Sequence, residues 1–234
     1  MRIEGAVGFV TGANRGIGKA MADALVRFGA KKVYAAVRTP NTITDPWLTP
    51  LRLDVTDQKT IDAAAEVATD VTILVNNAGI GGVRFDGSLE DARAIMETHF
   101  FGTWAVTRAF APILKENGGG AIVNVLSAAS WWAIADAPGY AAAKAAQWSL
   151  TNAHRISMRS QGTHVLGVHF GYVDTDATKR LKVEKMAPAT VAEATMRALQ
   201  ADENEVLVDE WTKATRTALA GDITAMQANL PPGL

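Results

Sequence analysis

The chain has 234 residues, of which 48% are apolar and 20% charged, and its formal net charge is −1. That length and balance suit one large soluble α/β domain, and a charge so near zero leaves no electrostatic footprint for nucleic acid or an anionic membrane. The absence of cysteine excludes disulfides and thiolate metal sites and fits a cytoplasmic protein, while no run approaches the ~18 apolar residues of a membrane span. In chain order, MRIEGAVGFV shows no long apolar leader and runs straight into a first strand, GAVGFV. A glycine-rich turn and a helix from about Gly16 to Gly29 follow, then strands KKVYAAVR and LTPLRLDV and a helix over Thr56–Ala68. Strand VTILVNNAG precedes helices over Leu89–Glu97 and Thr103–Glu116, the second stopped by Gly118–Gly120. GAIVNVLS, a long helix over Pro138–Ser160, THVLGVHF, a helix over Ala189–Gln200 and EVLVDE complete the series. The strands are apolar nearly throughout, as strands buried on both faces of a parallel sheet should be. Their alternation with helices predicts a single Rossmann-like, doubly wound α/β domain of about seven parallel strands over residues 1–220. The C-terminal tail, residues 221–234, ends NLPPGL and is expected to be loosely held or used in an oligomer contact.

Within TGANRGIG, Gly12, Gly16 and Gly18 stand between the first strand and the first helix. Glycines there permit a tight turn and close backbone approach to a pyrophosphate, which the helix N-terminus would receive. Asn14, Arg15 and Ile17 complete this cofactor-binding turn. A free ribose wants an acid near the end of the second strand, whereas a 2′-phosphate wants cations. The strand ends AAVRT, with Val37 at the acid position and Arg38 after it, and Arg15 sits inside the turn. Two arginines and no carboxylate point to NADP(H) over NAD(H).

In GYAAAKAA, Tyr140 and Lys144 lie one above the other on a helix otherwise made of small residues. With TGANRGIG, LDVTD, NNAG and YAAAK in this order, and Ser127 in NVLS at the matching distance before Tyr140, the sequence resembles the short-chain dehydrogenase/reductase family over about Ala6–Glu210. The resemblance implies a reductase of ketones or aldehydes, or a secondary-alcohol dehydrogenase in reverse, with Ser127, Tyr140 and Lys144 as catalytic residues. Hydride delivery to a carbonyl makes an alkoxide that needs a proton, and a free tyrosine, with a pKa near ~10, is a poor match to neutral pH. A cation ~4 Å away at an effective dielectric of ~20 interacts by about 4 kcal/mol, enough to lower that pKa by up to ~3 units. Lys144 is expected to do this and to hold the nicotinamide ribose, and Ser127 to hold the carbonyl oxygen. The resemblance further implies that Asp54, followed by Val55, meets the adenine, and that Asn76, Ala78 and Gly79 line the cofactor groove and brace the sheet. Gly171, Val173 and Thr175 match the segment that touches the carboxamide end of the nicotinamide.

The chain departs from the family pattern at His99 in METHFFGT, where the family usually has asparagine, and at Phe170, where it mostly has proline. His99 is a candidate member of the proton relay. His154, His164 and His169 are expected to be structural, with no metal site. Trp131 and Trp132, close after Ser127, could wall a pocket for a hydrophobic or aromatic substrate, or pack against a neighbouring helix. The family implies a homodimer or homotetramer built through long helices. The alternative function is a catalytically silent NADPH-binding regulator or scaffold; the intact Ser127, Tyr140 and Lys144 argue against it. A third reading, epimerisation or dehalogenation on the same scaffold, is opposed in its cofactor-free form by the nucleotide motif.

Overall fold

The structure, a computed structural model, describes residues 1–82 and 86–228. Seven strands form one sheet: β1 Val7–Thr11, β2 Lys32–Val37, β3 Thr49–Arg52, β4 Ile73–Asn76, β5 Ala121–Val125, β6 His164–His169 and β7 Glu205–Leu207. Their spatial order is β3-β2-β1-β4-β5-β6-β7 and every pairing is parallel. The order reverses direction between β1 and β4, and in an open α/β sheet that switch point opens the crevice where ligands bind. All seven expected strands are present, each a little shorter than the apolar run that encodes it.

Side chains of successive strand residues leave opposite faces of the sheet, and two buried clusters result. Val10, Val33, Val75, Val123 and Leu166 pack under α1 (Gly16–Arg27) and α6 (Pro188–Gln200). Phe9, Leu74, Ile122 and Val165 pack on the other face with Ile61 of α2 (Gln58–Val67) and Phe110 and Leu114 of α4 (Gly102–Glu116). Start signals are local: Asp57 and Ser88 accept backbone N–H bonds at the heads of α2 and α3 (Leu89–Met96), and Pro138 and Pro188 open α5 (Pro138–Ser157) and α6. Between α3 and α4 the chain runs on through a π-helical turn, Glu97–Phe101, which contains His99.

Beyond β7 the chain adds two helices, α7 Glu210–Ala218 and α8 Ile223–Ala228, that its apolar pattern does not announce. Asp209 caps α7, accepting from Thr212 N at 2.8 Å, so the last residues of EVLVDE turn into a helix instead of extending the strand. The first part of the C-terminal tail is held: Met226 is buried, and Gln227 Oε1 accepts from Ala133 N at 3.1 Å. Its last residues, 229–234, lie outside the described residues. Among the described residues no helix is long and apolar enough to cross a membrane.

Candidate active site

The glycine turn follows β1 at the switch point. Gly12 and Gly16 have φ of 68° and 55°, the left-handed region that glycine adopts without penalty. Gly18 answers a different demand: a Cβ there would lie 2.1 Å from the carbonyl oxygen of Gly12. Arg15 occupies the N-cap position of α1 without a side-chain cap, and no acid stands in the first turn. The first N–H groups of α1 are therefore left for an external anion, as a pyrophosphate cradle requires. Asn14 and Arg15 are exposed and Ile17 half-buried along this turn. Thr175 closes the far side, its Cγ2 3.3 Å from where a Gly16 Cβ would lie.

The NNAG segment divides its labour. Asn76 braces the sheet: it is buried, and its Nδ2 donates to Thr107 Oγ1 at 3.0 Å and Asn124 Oδ1 at 2.9 Å. The residue facing the glycine turn is Asn77, which the motif reading passed over. Its Nδ2 donates to Thr11 O at 2.9 Å, while its N–H and that of Ala78 both donate to Thr11 Oγ1. Arg38 is exposed at the end of β2 and stands close enough to Asp54 to help hold that carboxyl low, against the opposing effect of burial and alongside two bonds from Thr56. Val55 packs on Gly102 at the head of α4, where a Cβ would come within 2.9 Å of its Cγ2. Arg15 is already engaged, by Asp176 Oδ2 at 2.7 Å, with both side chains largely exposed.

Gly79 and Gly82 wedge the loop after β4 between the π turn and α5. A Cβ at Gly79 would lie 2.5 Å from His99 Cε1, and one at Gly82 would lie 2.6 Å from Ala137 Cβ and 3.2 Å from Tyr140 Cβ. The His99 ring meets the Tyr140 ring edge-on, centroids 5.4 Å apart at 87°. His99 Nε2 faces the backbone of Ile80, 2.9 Å from its O and 3.2 Å from its N, and buried Nδ1 finds no partner among the described residues. Burial, aided by the nearby Lys144 charge, lowers the His99 pKa to about 3, so the ring is neutral at physiological pH.

Tyr140 is half-buried and Lys144 buried near the N-terminus of α5. Lys144 Nζ lies 5.8 Å from the centroid of the Tyr140 ring and donates to Val125 O at 2.8 Å and Gln147 Oε1 at 2.9 Å. The expected lowering of the tyrosine by its lysine is overridden here. Burial pushes the Tyr140 phenol up to about 12, with only the neighbouring Ser127 hydroxyl pulling it back, and burial brings Lys144 down to about 7. Ser127 is buried at the end of β5; its Oγ accepts from Ala129 N at 3.1 Å and lies 3.5 Å from Phe170 O. Phe170, in place of proline, is buried, and its carbonyl accepts from Ala128 N at 2.9 Å.

Behind Ser127 the ring of His169 stacks on Trp131 with centroids 4.0 Å apart, and its Nδ1 lies 3.1 Å from Ser127 O. Trp131 also meets Trp148 of α5 edge-on, and Trp132 meets Trp211 of α7. Both tryptophans are buried. The packing alternative holds for them, and they do not form an exposed pocket wall. Gly171 N donates to Asp209 Oδ2 at 2.8 Å, tying the segment after β6 to the cap of α7; Val173 is buried and bridges to Met186, and Thr175 N donates to Thr178 Oγ1. His154 and His164 lie on α5 and β6 with structural surroundings; His164 Nε2 contacts Glu203 O at 2.8 Å.

A family profile described as short chain dehydrogenase matches residues 6–186. The chain is 35% identical over 204 residues to a 3-oxoacyl-(acyl-carrier-protein) reductase FabG of Vibrio cholerae, covering 82% of this chain and 83% of that protein. It is 29% identical to an NADP-dependent 3-hydroxy acid dehydrogenase of Schizosaccharomyces pombe, across 97% of this chain and 99% of that one. A solved short chain dehydrogenase from Burkholderia cenocepacia, in complex with NADP, superposes with a TM-score of 0.93 at 36% identity, covering 98% of this chain and 99% of that one. The glycine cradle, the Ser127–Tyr140–Lys144 grouping and this whole-chain similarity have one meaning: the chain belongs to the short-chain dehydrogenase/reductase family and is a nicotinamide-dependent oxidoreductase of that family.

Proposed function

We propose that this enzyme interconverts a ketone or aldehyde and its alcohol with NADP(H), using Tyr140 as the acid/base. The observation that carries the reading is the meeting of Ser127, Tyr140 and Lys144 beside the loop that leaves β4, at the same C-terminal end of the parallel strands as the glycine cradle. When bound, the nicotinamide supplies or accepts the hydride. In the reducing direction the Tyr140 hydroxyl gives its proton to the carbonyl oxygen and in the oxidising direction the phenolate takes it back. Ser127 holds the same oxygen through Oγ, stabilising charge as it develops. Lys144, one helical turn away, supports the phenolate electrostatically and offers an N–H to the ribose.

NADP(H) over NAD(H) is supported by Arg15 and Arg38 beside the cradle with Val37 at the acid position. It is also supported by the NADP named for the Burkholderia structure and for the yeast relative. With both tryptophans packed inside, the apolar surface on offer for a hydrophobic substituent is Ile80, 40% exposed beside the His99–Tyr140 pair. The reading includes a cytoplasmic homodimer or homotetramer through α4 and α5. There Phe101, Trp104 and Ile156 are exposed, and a groove runs between the helices past Arg108 and Ser157.

The test is nicotinamide absorbance during incubation with a panel of aromatic and aliphatic ketones and aldehydes, NADPH and NADH side by side. NADPH oxidation should fall at least about a thousandfold in Tyr140→Phe, the upper range for a positioned proton donor. Full turnover in Tyr140→Phe would remove the acid/base assignment, and preference for NADH would remove the arginine argument.

A further inference from the structure

Lys144 is held by a partner that the family motif does not contain. An ammonium has three N–H donors and no acceptor. In this chain one goes to Val125 O at 2.8 Å and a second to Gln147 Oε1 at 2.9 Å. Gln147 lies three residues beyond Lys144 on α5 and is 1% exposed. Its amide orientation is forced, because a donor-only ammonium must face the oxygen, and the nitrogen then donates to Thr103 Oγ1 of α4 at 2.8 Å. The chain of bonds continues into the sheet. Gln147 O accepts from Thr151 Oγ1 at 2.7 Å, Thr151 Oγ1 accepts from Asn124 Nδ2 at 2.9 Å, and Asn124 Oδ1 accepts from Asn76 Nδ2 at 2.9 Å. A buried network of this kind, complete except at Asn76 Oδ1, restricts its members to one arrangement.

We propose that Gln147 is a positioning residue for Lys144, a neutral tether that occupies one N–H, leaves one for the reacting site, and leaves the ammonium charge beside Tyr140 uncancelled. This rests on the role given to Lys144 above. Neutrality is the chemical point. A carboxylate at the same place would form an ion pair and screen the ammonium from the phenol, and an apolar side chain would leave the ammonium short of an acceptor. The titratable groups facing Lys144 are Tyr140 on its own helix and His99 on the π turn, and among the described residues no carboxylate is paired with it.

The experiment titrates Lys144 directly by NMR, in protein carrying carbon-13 at the lysine Cε, its resonance identified by its absence from Lys144→Met. Wild type, Gln147→Glu and Gln147→Met are compared, with steady-state NADPH-dependent reduction measured in parallel. Gln147→Glu should raise the Lys144 midpoint by about one pH unit or more, because a carboxylate favours the charged form, and Gln147→Met should lower it, because the ammonium loses an acceptor. Either variant should lose about tenfold in kcat with KM within about twofold, as expected for a group acting through the transition state alone. A Lys144 midpoint unmoved in the folded variants, or a moved midpoint with wild-type kcat, overturns the tether. Should Gln147→Glu not fold, Gln147→Met alone decides by the same two criteria. Wild-type turnover in Tyr140→Phe would instead remove the acid/base reading while leaving the Lys144 titration to stand by itself.

Discussion

Around the glycine turn, the demands on the chain are steric: a Cβ at Gly18 meets a carbonyl oxygen at 2.1 Å, and Gly12 and Gly16 hold positive φ. Around Lys144 the demands are for charge and partners: a buried ammonium, a buried neutral imidazole at His99 and a half-buried tyrosine share one small volume, with the ammonium and its amide partner held by hydrogen bonds of 2.8–2.9 Å. The first region tolerates no added atom and is indifferent to pH. The second accepts changes of shape more readily than changes of charge. An enzyme that binds a pyrophosphate through backbone and moves a proton through side chains needs both kinds of construction, and they should fail in different ways.

The largest effect is expected from Gly18→Ala. Two backbone segments must separate to admit the methyl group, so the cost lies at or above the usual ~1–3 kcal/mol of overpacking. For a chain of this size about 3 kcal/mol lowers Tm by about 6–12 °C. NADPH affinity should fall about a hundredfold by titration calorimetry. Gly81→Ala is the control: among the described residues nothing lies within 4 Å of its Cβ position, and its φ is not positive, so binding and Tm should stay near wild type. If the region is steric, the deficit of Gly18→Ala in Tm is the same at pH 7.5 and pH 5.5.

The opposite behaviour is expected of the buried histidines. Burial lowers His99 to about 3 and His154 to about 4, from an ordinary value of 6.5. The unfolded chain therefore binds protons that the folded chain refuses between those values, and stability rises with pH through the window. The stability is fully present above pH 6.5 and falls as the pH drops, by about 1 kcal/mol per histidine between pH 6.5 and 5.5. Below 4.5 Glu205 acts in the same direction. Its contact with His169 holds it at about 2, so the stabilisation from its charge is present above 4.5 and is lost as the pH falls toward 2. Urea unfolding at a series of pH values measures the slope, and His99→Asn should remove about a third to a half of it between pH 6.5 and 5.5, because burial also lowers His169. An unchanged slope would mean that the ring is not held neutral.

The contrast between the two regions also explains what the sequence made legible. A steric demand writes itself as a residue type at a fixed place, so TGANRGIG announces its turn, and seven apolar runs announce seven strands, buried in the middle of the sheet and part-exposed at its edges β3 and β7. YAAAK likewise placed Tyr140 and Lys144 on one helix face. Partner choice is written less openly. Gln147 was visible as one amide in an alanine-rich helix, three residues from a lysine, yet nothing local says that its oxygen meets that lysine while Thr103 takes its nitrogen. Asn77 and Asn76 are adjacent and chemically identical, and strand alternation sends one to the glycine turn and the other into the sheet. The two alternatives for Trp131 and Trp132, pocket wall or packing, stay open in the sequence because the segment that forms α7 and carries Trp211 has few large apolar residues to announce a helix.

The smallest effect sharpens the comparison at the border of the two regions, where the cradle meets solvent. Arg38 is exposed at the end of β2, and Arg15 is exposed but shares its charge with Asp176 at 2.7 Å. Exposed ion pairs are worth about 0–1 kcal/mol, so Asp176 competes with a 2′-phosphate for Arg15 without blocking it. Arg38→Ala should weaken 2′,5′-ADP about tenfold and leave 5′-AMP unchanged, whereas Arg15→Ala should weaken 2′,5′-ADP about threefold. Asp176→Asn should act in the opposite sense, tightening 2′,5′-ADP two- to threefold by releasing Arg15. Each difference should shrink as salt rises, because the charges are exposed and screening reaches them within about 10 Å at 0.1 M. Equal effects of all three variants on the two nucleotides would show that these charges act on the 5′-phosphate they share, and the 2′-phosphate would then need another partner.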